Sequence, residues 1–532
     1  MFPSTAMLQV FLLTGMASAQ CPDYADYSSE RHPPYTNGTY QLSYMRPVPA
    51  CRTFNSSDVE SRIVQMRSVI ADPDLYRLFE NSYPNTLDTA IKWKGYAANN
   101  SEEELTFVIT GDINAMWLRD SANQVQSYLP VLKAKSSADS IASLYRGVIN
   151  LQSRYILTDP YCNSFQPPVE SNISATVNSA ASDDTVSPSY SNMSVFECKY
   201  ELDSLAAFLE VSTNYYNATQ DVDFFGKYQW IAAMQAVMNT ATSMMTPTYG
   251  ADGQVLDSPY TFTRLTTRST ETLANDGLGS PVANGTGLIR SAFRPSDDST
   301  LFQLFIPANM MFSRYLASTA DIMTALGDTA PCGLAQNMTD LSTSVRTAIE
   351  SFGIVTDPTS GTDIYAFEVD GYGSAAIMDD ANIPSLLSAP FLGFLDTDDK
   401  VYQNTRAVVL DQTGTNGNPY FMRGPVINAV GGPHQGPGMA WPMASIVRIL
   451  TSDDEAEITD ALGEIVSSTD GLGLIHESIN TFNQSDWTRQ WFSWANGLFG
   501  QMILDLYDRK PEILKQSFQQ SRTYMSSGSF NI

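Results

Sequence analysis

Two adjacent carboxylates, Asp297 and Asp298, stand in the stretch Arg294–Thr300 (RPSDDST), and a third acid, Glu477, follows His476 much further along the chain. Cleaving a glycosidic bond requires two carboxyl groups, one protonated and one ionised, on opposite sides of the bond. Three other segments are dense in the residue types that hold sugars. Thr110–Pro130 (TGDINAMWLRDSANQVQSYLP) carries Trp117, Arg119 and Asp120 just ahead of an expected amphipathic helix, with Ser121 as its cap. Phe367–Asn382 (FEVDGYGSAAIMDDAN) carries Glu368, Asp370, Asp379, Asp380 and Asn382. His476–Trp494 adds Arg489, Trp491 and Trp494, and Gly431–Trp441 (GGPHQGPGMAW) sets His434 in a Gly/Pro loop. Sugars offer many hydroxyls and apolar ring faces, so their sites pair Asp, Glu and Arg with indole rings. Each feature alone also has a structural reading. The Asp pair could cap a helix, Arg119–Asp120 could be an ion pair, the Trp pair could be core, and His434 could simply bond its loop.

Absences narrow the chemistry. The sequence has no GxxxxGK[ST] loop, no GxGxxG, no HExxH and no GxSxG elbow. With only three His, a His-rich metal site or a conventional triad has few candidates. No CxxC pair occurs. None of the motifs present calls for a metal or a cofactor. Across 532 residues, 30 Lys+Arg face 57 Asp+Glu, a formal charge of −27. That charge repels phosphate backbones and anionic lipid, which argues against nucleic acid and membrane surfaces as partners.

The compartment is written at the N-terminus. Met7–Met16 is a short apolar run followed by Ala17-Ser18-Ala19, a small-x-small cleavage signal, so residues 1–19 read as a signal peptide. No later stretch approaches the apolar length of a membrane span. Nine Asn-x-Ser/Thr acceptors (Asn37, Asn55, Asn99, Asn172, Asn192, Asn217, Asn284, Asn337, Asn483) fit secretion or a Golgi lumen. Of the five cysteines, the preferred pairs are Cys21–Cys51, tying down an N-terminal arm, and Cys162–Cys198, closing a polar insert. Cys332 is left over and is expected to be a buried small hydrophobe.

The elements that must position these residues are mostly helices. Residues 20–58 lack a sustained period and read as an extended arm. From residue 59 to 515, apolar residues recur at helical spacing over Glu201–Tyr216, Phe225–Met245, Pro307–Leu326, Asp340–Phe352, Gly438–Leu450 and Thr488–Tyr507. The last is apolar nearly all round and must be buried. Buried and half-exposed helices together suit two concentric layers, an all-α barrel. Ile364–Met378 alternates around Asp370-Gly371 and reads as a β-hairpin. Val169–Ser194 and Leu256–Thr286 read as long surface loops, and residues 516–532 as a tail. Composition and spacing alone reach a secreted α-barrel with a glycosidase-like set of acids.

Six segments, in order from about residue 59 to 508, also resemble glycoside hydrolase family 125: TGDINAMWLRDSANQV, FECKYELDSL, FRPSDDST with IPANMMF, YAFEVDGYGSAAIMDDANIPSLL, GPHQGPGMAWPM and HESIN with TRQWFSWANGLFG. The resemblance implies an (α/α)6 barrel and a metal-independent exo-α-1,6-mannosidase that inverts the anomeric carbon. Its substrate would be a mannose-containing oligosaccharide or glycoprotein glycan, taken by a monomer. It implies that one of Asp297 and Asp298 is the general acid and Glu477 the general base. Inversion would set the two carboxyl groups about 6.5–9.5 Å apart. By the same resemblance Arg119 and Asp120 grip the terminal sugar, with Trp117, Glu368, Asp370, Asp380, Asn382 and His434 around it, and Arg489, Trp491 and Trp494 form an aromatic wall. The 163–195 insert, the Leu256–Thr286 loop and Gln435 depart from the family pattern. Two alternatives stay open: a sugar-binding glycoprotein on a catalytically dead barrel, and an α-glycosidase for another sugar or linkage.

Overall fold

The computed structural model describes residues 21–411 and 417–520; the signal peptide expected over residues 1–19 lies outside them, as does the tail beyond residue 520. The chain is mostly helical. One tier of helices is buried almost all round: Leu118–Gln126, Leu202–Thr219, Ile306–Ala325, Pro442–Leu450 and Ser493–Arg509. Leu118–Gln126 packs on both Leu202–Thr219 and Ser493–Arg509, Leu202–Thr219 packs on Ile306–Ala325, and Ser493–Arg509 packs on Pro442–Leu450. A second tier backs them. Ile141–Thr158 lies on Leu202–Thr219, Leu334–Ala348 on Ile306–Ala325, Glu455–Ser467 on Pro442–Leu450, and Pro73–Ser82 on Ser493–Arg509.

The tiers start differently, for a physical reason. Several outer helices are capped by side chains: Asp72, Ser140, Asp399 and Asp454 each accept from a first-turn N–H. The buried helices begin at Trp117, Glu201, Phe305, Trp441 and Phe492, none of which makes a side-chain cap. Short strands hold these starts instead. Met116–Trp117 joins Ser164–Phe165 and Val195–Glu197; Leu304–Phe305 joins Glu368–Val369 and Ala375–Ala376; Met439–Ala440 joins Ser478–Asn480 and Asn483–Thr488. Each small sheet thus ties the mouth of a buried helix to an incoming loop that carries site residues.

Several sequence expectations are corrected. The helix expected from Thr488 begins only at Ser493, because Thr488 pairs across to Ser478 and Arg489 takes a left-handed φ of 52°. Asp340–Phe352 becomes a helix over Leu334–Ala348 with a wider last turn over Ile349–Gly353. Ser121 caps nothing; its hydroxyl donates to the carbonyls of Trp117 and Leu118 from inside the first turns of Leu118–Gln126. The Asp pair caps no helix either, since Arg294–Thr300 is a turn closed by a bridge between Phe293 and Ser299. The longest strands, Ile91–Ala97 and Asn100–Val108, form an antiparallel pair against Ile141–Thr158 that the sequence reading missed. Cys21–Cys51 and Cys162–Cys198 are bonded, but Cys332 is exposed, placed in the Pro331–Gly333 turn ahead of Leu334–Ala348 rather than in the core.

The two surface loops are not independent excursions. Thr185–Ser187 pairs antiparallel with Thr261–Thr263, and Arg264 makes ion pairs with both Asp184 (2.6 Å) and Glu197 (2.7 Å). The 163–195 insert and the Leu256–Thr286 loop are zipped together.

Candidate active site

The site is built on the first turns of the buried helices. A helix N-terminus carries partial positive charge and favours carboxylates in its first turn, and Asp120 and Asp203 occupy those positions. Arg119 is the hub. One of its terminal nitrogens donates to Glu201 Oε2 (2.6 Å) and Asp203 Oδ2 (3.0 Å); the other lies 3.3 Å from Asp120 Oδ2 and donates to Asp297 Oδ1 (3.3 Å). Asn163 Nδ2 repeats the bridge, donating to Glu201 Oε1 (3.4 Å) and Asp297 Oδ1 (3.3 Å), and Lys199 Nζ donates to the Asp297 carbonyl (2.7 Å).

Four carboxyls around one guanidinium cannot all ionise in a buried site, so protons are retained. Burial, with Asp297 and Asp203 behind it, drives Glu201 well above the usual carboxylate range against the pull of Arg119. Burial likewise raises Asp120 and Asp203 to about 6 each, Arg119 again opposing. Asp297 goes the other way: burial pushes it up, but Arg119, a hydrogen bond from Glu201, Lys199 and His434 together hold it at about 2. Within this pair Glu201 is pushed towards the protonated form and Asp297 towards the ionised form.

The two adjacent acids face different ways. Asp297, with a φ of 63°, presents a side chain 25% exposed to a cavity, whereas the Asp298 side chain is 3% exposed and sits 3.3 Å from His434 Nδ1. Burial pulls the His434 imidazole down, but Asp298, with Glu477 and Asp297 beyond it, more than reverses this and raises it; Asp298 is lowered in return by His434 and Arg294 against its own burial. Glu477 enters from the loop before Ser478–Asn480. Its Oε2 accepts from Thr488 Oγ1 (2.8 Å) and Gln435 Nε2 (3.3 Å), while Arg489 Nε stands 3.6 Å from Oε1 and 3.4 Å from Asp112.

Asp297 and Glu477 line one cavity of about 80 Å³, together with Arg119, Asp120, Asn382, His434 and Arg489. Its aromatic wall is Trp117, Trp441, Phe492 and Trp494. The indole N–H groups of Trp117, Trp441 and Trp494, the Ser296 hydroxyl and Asp120 Oδ2 have no hydrogen-bond partner among the described residues. Buried polar groups are rarely left unpaired, so the cavity is preset with donors and an acceptor beside flat apolar rings.

Some expected site residues stand elsewhere. Glu368 and Asp380 form a layer behind the cavity: Arg294 lies 3.7 Å from each, Glu368 Oε2 accepts from the N–H groups of Leu301 and Phe302, and Asp380 Oδ1 accepts from Asn382. Burial raises both acids, with Arg294 opposing. Gly432 packs on this layer, where a Cβ would meet the Asp380 carboxylate at 2.8 Å. Asp370 holds its own turn, accepting from Tyr372 and Ser374 N–H, and does not line the cavity. Trp491 is absent from the wall as well; it packs edge-on to Tyr24 (4.9 Å) beside Met45, Leu472 and Leu474. The sequence reading missed Glu201, Asp203, Asn163, Lys199, Asp112 and Thr488. The acids of FECKYELDSL lay inside a matching motif, but their helical spacing made them look like part of an ordinary amphipathic helix.

The family model for the metal-independent α-mannosidases (GH125) matches residues 72–504. The Meiotically up-regulated gene 157 protein of Schizosaccharomyces pombe is 45% identical over 517 residues, covering 96% of this chain and 98% of that one. A solved metal-independent α-mannosidase from Streptococcus pneumoniae, in a non-productive complex with α-1,6-mannobiose, superposes with a TM-score of 0.73 at 33% identity, over 86% of this chain and 99% of that one. A match over most of the chain, on a cavity holding paired acids and indoles, makes the conclusion plain: this chain belongs to glycoside hydrolase family 125, the metal-independent α-mannosidases.

Proposed function

We propose that the protein is a secretory-pathway, inverting exo-α-1,6-mannosidase that removes terminal mannose from α-mannosides or N-glycan-type oligosaccharides, as a monomer and without a cofactor. The observation that carries this reading is that Asp297 and Glu477 share one small cavity walled by indoles with free N–H groups. A small pocket that brings acids and indoles together is read as a site for a chain end rather than for the interior of a polymer. The bacterial relative's complex with α-1,6-mannobiose supports the linkage. Two disulfides and nine acceptor asparagines, all exposed, support passage through an oxidising, glycosylating compartment. The two helix tiers over 59–515 are read as an (α/α)6 barrel, with the buried turns over 383–394 in place of a sixth inner helix, and the Glu368–Ala376 hairpin and zipped loops at its mouth.

In the proposed mechanism the sugar's apolar face lies on the indole wall and Asp120 accepts from a hydroxyl. The Glu201–Asp297 pair delivers its proton through Asp297 to the glycosidic oxygen as that C–O bond breaks. Glu477, held by Thr488 and Gln435, takes a proton from the water whose oxygen bonds to the anomeric carbon. Asp298 orients His434. Proton NMR of α-1,6-mannobiose turnover, beside the α-1,2 and α-1,3 isomers, tests this directly. Early β-mannose from the α-1,6 compound alone is expected; early α-mannose would falsify the inverting roles, and no release from any isomer would return the reading to a binding protein. Glu477→Gln and Asp297→Asn should each lower kcat by roughly 10²–10⁴-fold, and Asp298→Asn by less.

A further inference from the structure

Away from the sugar cavity, residues 248–256 fold back on themselves: Leu256 N–H donates to the Thr248 carbonyl, Gly250 N–H to the Gln254 carbonyl, and Tyr249 bridges to Val255. This small turn stands over a second cavity of about 160 Å³, with Arg290 among its lining residues. Arg290 is 3% exposed, and among the described residues neither a carboxylate nor a carbonyl partners its side chain and its Nε has no hydrogen-bond partner. Burial alone acts on its pKa, downward, with no acid opposing.

A buried lysine can shed its proton; an arginine cannot. A guanidinium kept charged and unpaired in a low-dielectric site costs several kcal/mol unless an anion or water reaches it. The cavity offers the means. The Thr248 hydroxyl accepts from Val282 N–H (2.8 Å), and among the described residues its own proton has no acceptor. Above that polar floor the rim is apolar and open: Tyr249 is 41%, Val255 58% and Leu256 37% exposed. A hard inorganic anion would use the floor and gain nothing from this rim.

We propose that the Arg290 cavity is a binding site for a small monocarboxylate, the carboxylate on Arg290 and Thr248 and a short apolar body under Leu256 and Val255. The site is separate from the sugar cavity and does not depend on which glycosidic linkage the enzyme cuts. At about 160 Å³ it is well below the roughly 300–1,000 Å³ of drug-sized sites, so the ligand it can take is a small one. A charge-assisted hydrogen bond contributes about 1.5–3 kcal/mol, so losing Arg290 should weaken binding roughly 10- to 150-fold.

Ligand-detected NMR with sodium butyrate, at ionic strength fixed with sodium chloride, tests the site on the full-length glycoprotein. Butyrate is expected to bind the wild type more tightly than acetate, and to bind Arg290→Gln at least tenfold more weakly. Equal butyrate binding by both proteins, or none by the wild type, overturns the proposal. Inorganic phosphate binding in preference to butyrate overturns the carboxylate assignment. Should Arg290→Gln fail to fold, Leu256→Ser changes only the exposed rim. It should erase the preference for butyrate over acetate, and an unchanged preference would equally defeat the assignment.

Discussion

Arg119 and Arg290 are each 3% exposed, yet they live in opposite electrostatic worlds. Arg119 meets Asp120, Glu201, Asp203 and Asp297; Arg290 meets no acid among the described residues. The first cation is over-compensated, so its surroundings keep protons and the surplus acidity is usable as a proton store for a neutral substrate. The second has no compensating acid among the described residues, which leaves room for one from outside. In the proposed mechanism one buried guanidinium organises the acids because its partners are built in; in the proposed carboxylate site the other captures a ligand in place of a partner.

The comparison breaks first at Arg119. Arg119→Met leaves four buried carboxyls without their cation, a change that typically costs about 3–5 kcal/mol, and it should abolish turnover. Arg290→Met removes an unpaired buried charge, so in carboxylate-free buffer its stability should match or exceed that of wild type by up to about 4 kcal/mol, the range seen when apolar side chains replace buried charges. Urea unfolding of the two variants side by side gives the answer. Similar losses in both would mean that Arg290 is paired in solution and that the contrast is false.

A second test concerns how the Arg119 cluster is held. Cys162 precedes Asn163 and Cys198 precedes Lys199, the two residues that reach Asp297 from outside the buried helices. Their disulfide closes a separation of 36 residues, worth about 4 kcal/mol by chain entropy. Cys162→Ser/Cys198→Ser should lose that stability and also lower kcat more than it raises KM, because Asp297 loses its flanking donors. Retained kcat in a folded double variant would show that Arg119 alone positions the acid. Cys332→Ser, at an exposed position with no bond, should change neither.

What the sequence made legible follows from what each residue does locally. The helices over Leu202–Thr219 and Ile306–Ala325 announced themselves through apolar spacing, and Asp297, Glu477, Arg119 and Asp120 through residue type and motif. Glu201 and Asp203 stayed hidden because they belong to an ordinary-looking helix, and only the packing of Leu118–Gln126 on Leu202–Thr219 aims them at Arg119. Trp491 misled for the converse reason: its spacing from Trp494 suits a shared wall, but the left-handed turn at Arg489 and the strand before it send the ring onto Tyr24. Arg290 carried no signal at all, since the absence of a partner is a property of three-dimensional packing. The zipped loops were invisible likewise, because two polar, unperiodic segments reveal nothing of each other until Thr185–Ser187 meets Thr261–Thr263.

The smallest effect sharpens the contrast by switching a charge that the arginines hold fixed. His434, raised by Asp298 despite its burial, is a titratable cation in the same cavity as Arg119. A cation whose folded pKa is raised contributes stability below its unfolded value, near 6.5, and loses it as pH climbs through the folded value. Asp298, lowered by His434, contributes above the unfolded carboxylate value, near 3.9, and loses it as pH falls through its folded value. The pair is therefore worth most between about pH 4 and 6.5, by roughly 1 kcal/mol for a side chain as accessible as that of His434. His434→Asn should be less stable than wild type inside that window, and the two denaturation curves should converge as the pH rises above it. A gap that persists unchanged to pH 9 would mean that His434 acts by packing on Trp441 rather than by charge, leaving the fixed guanidiniums as the only cations that matter in this cavity.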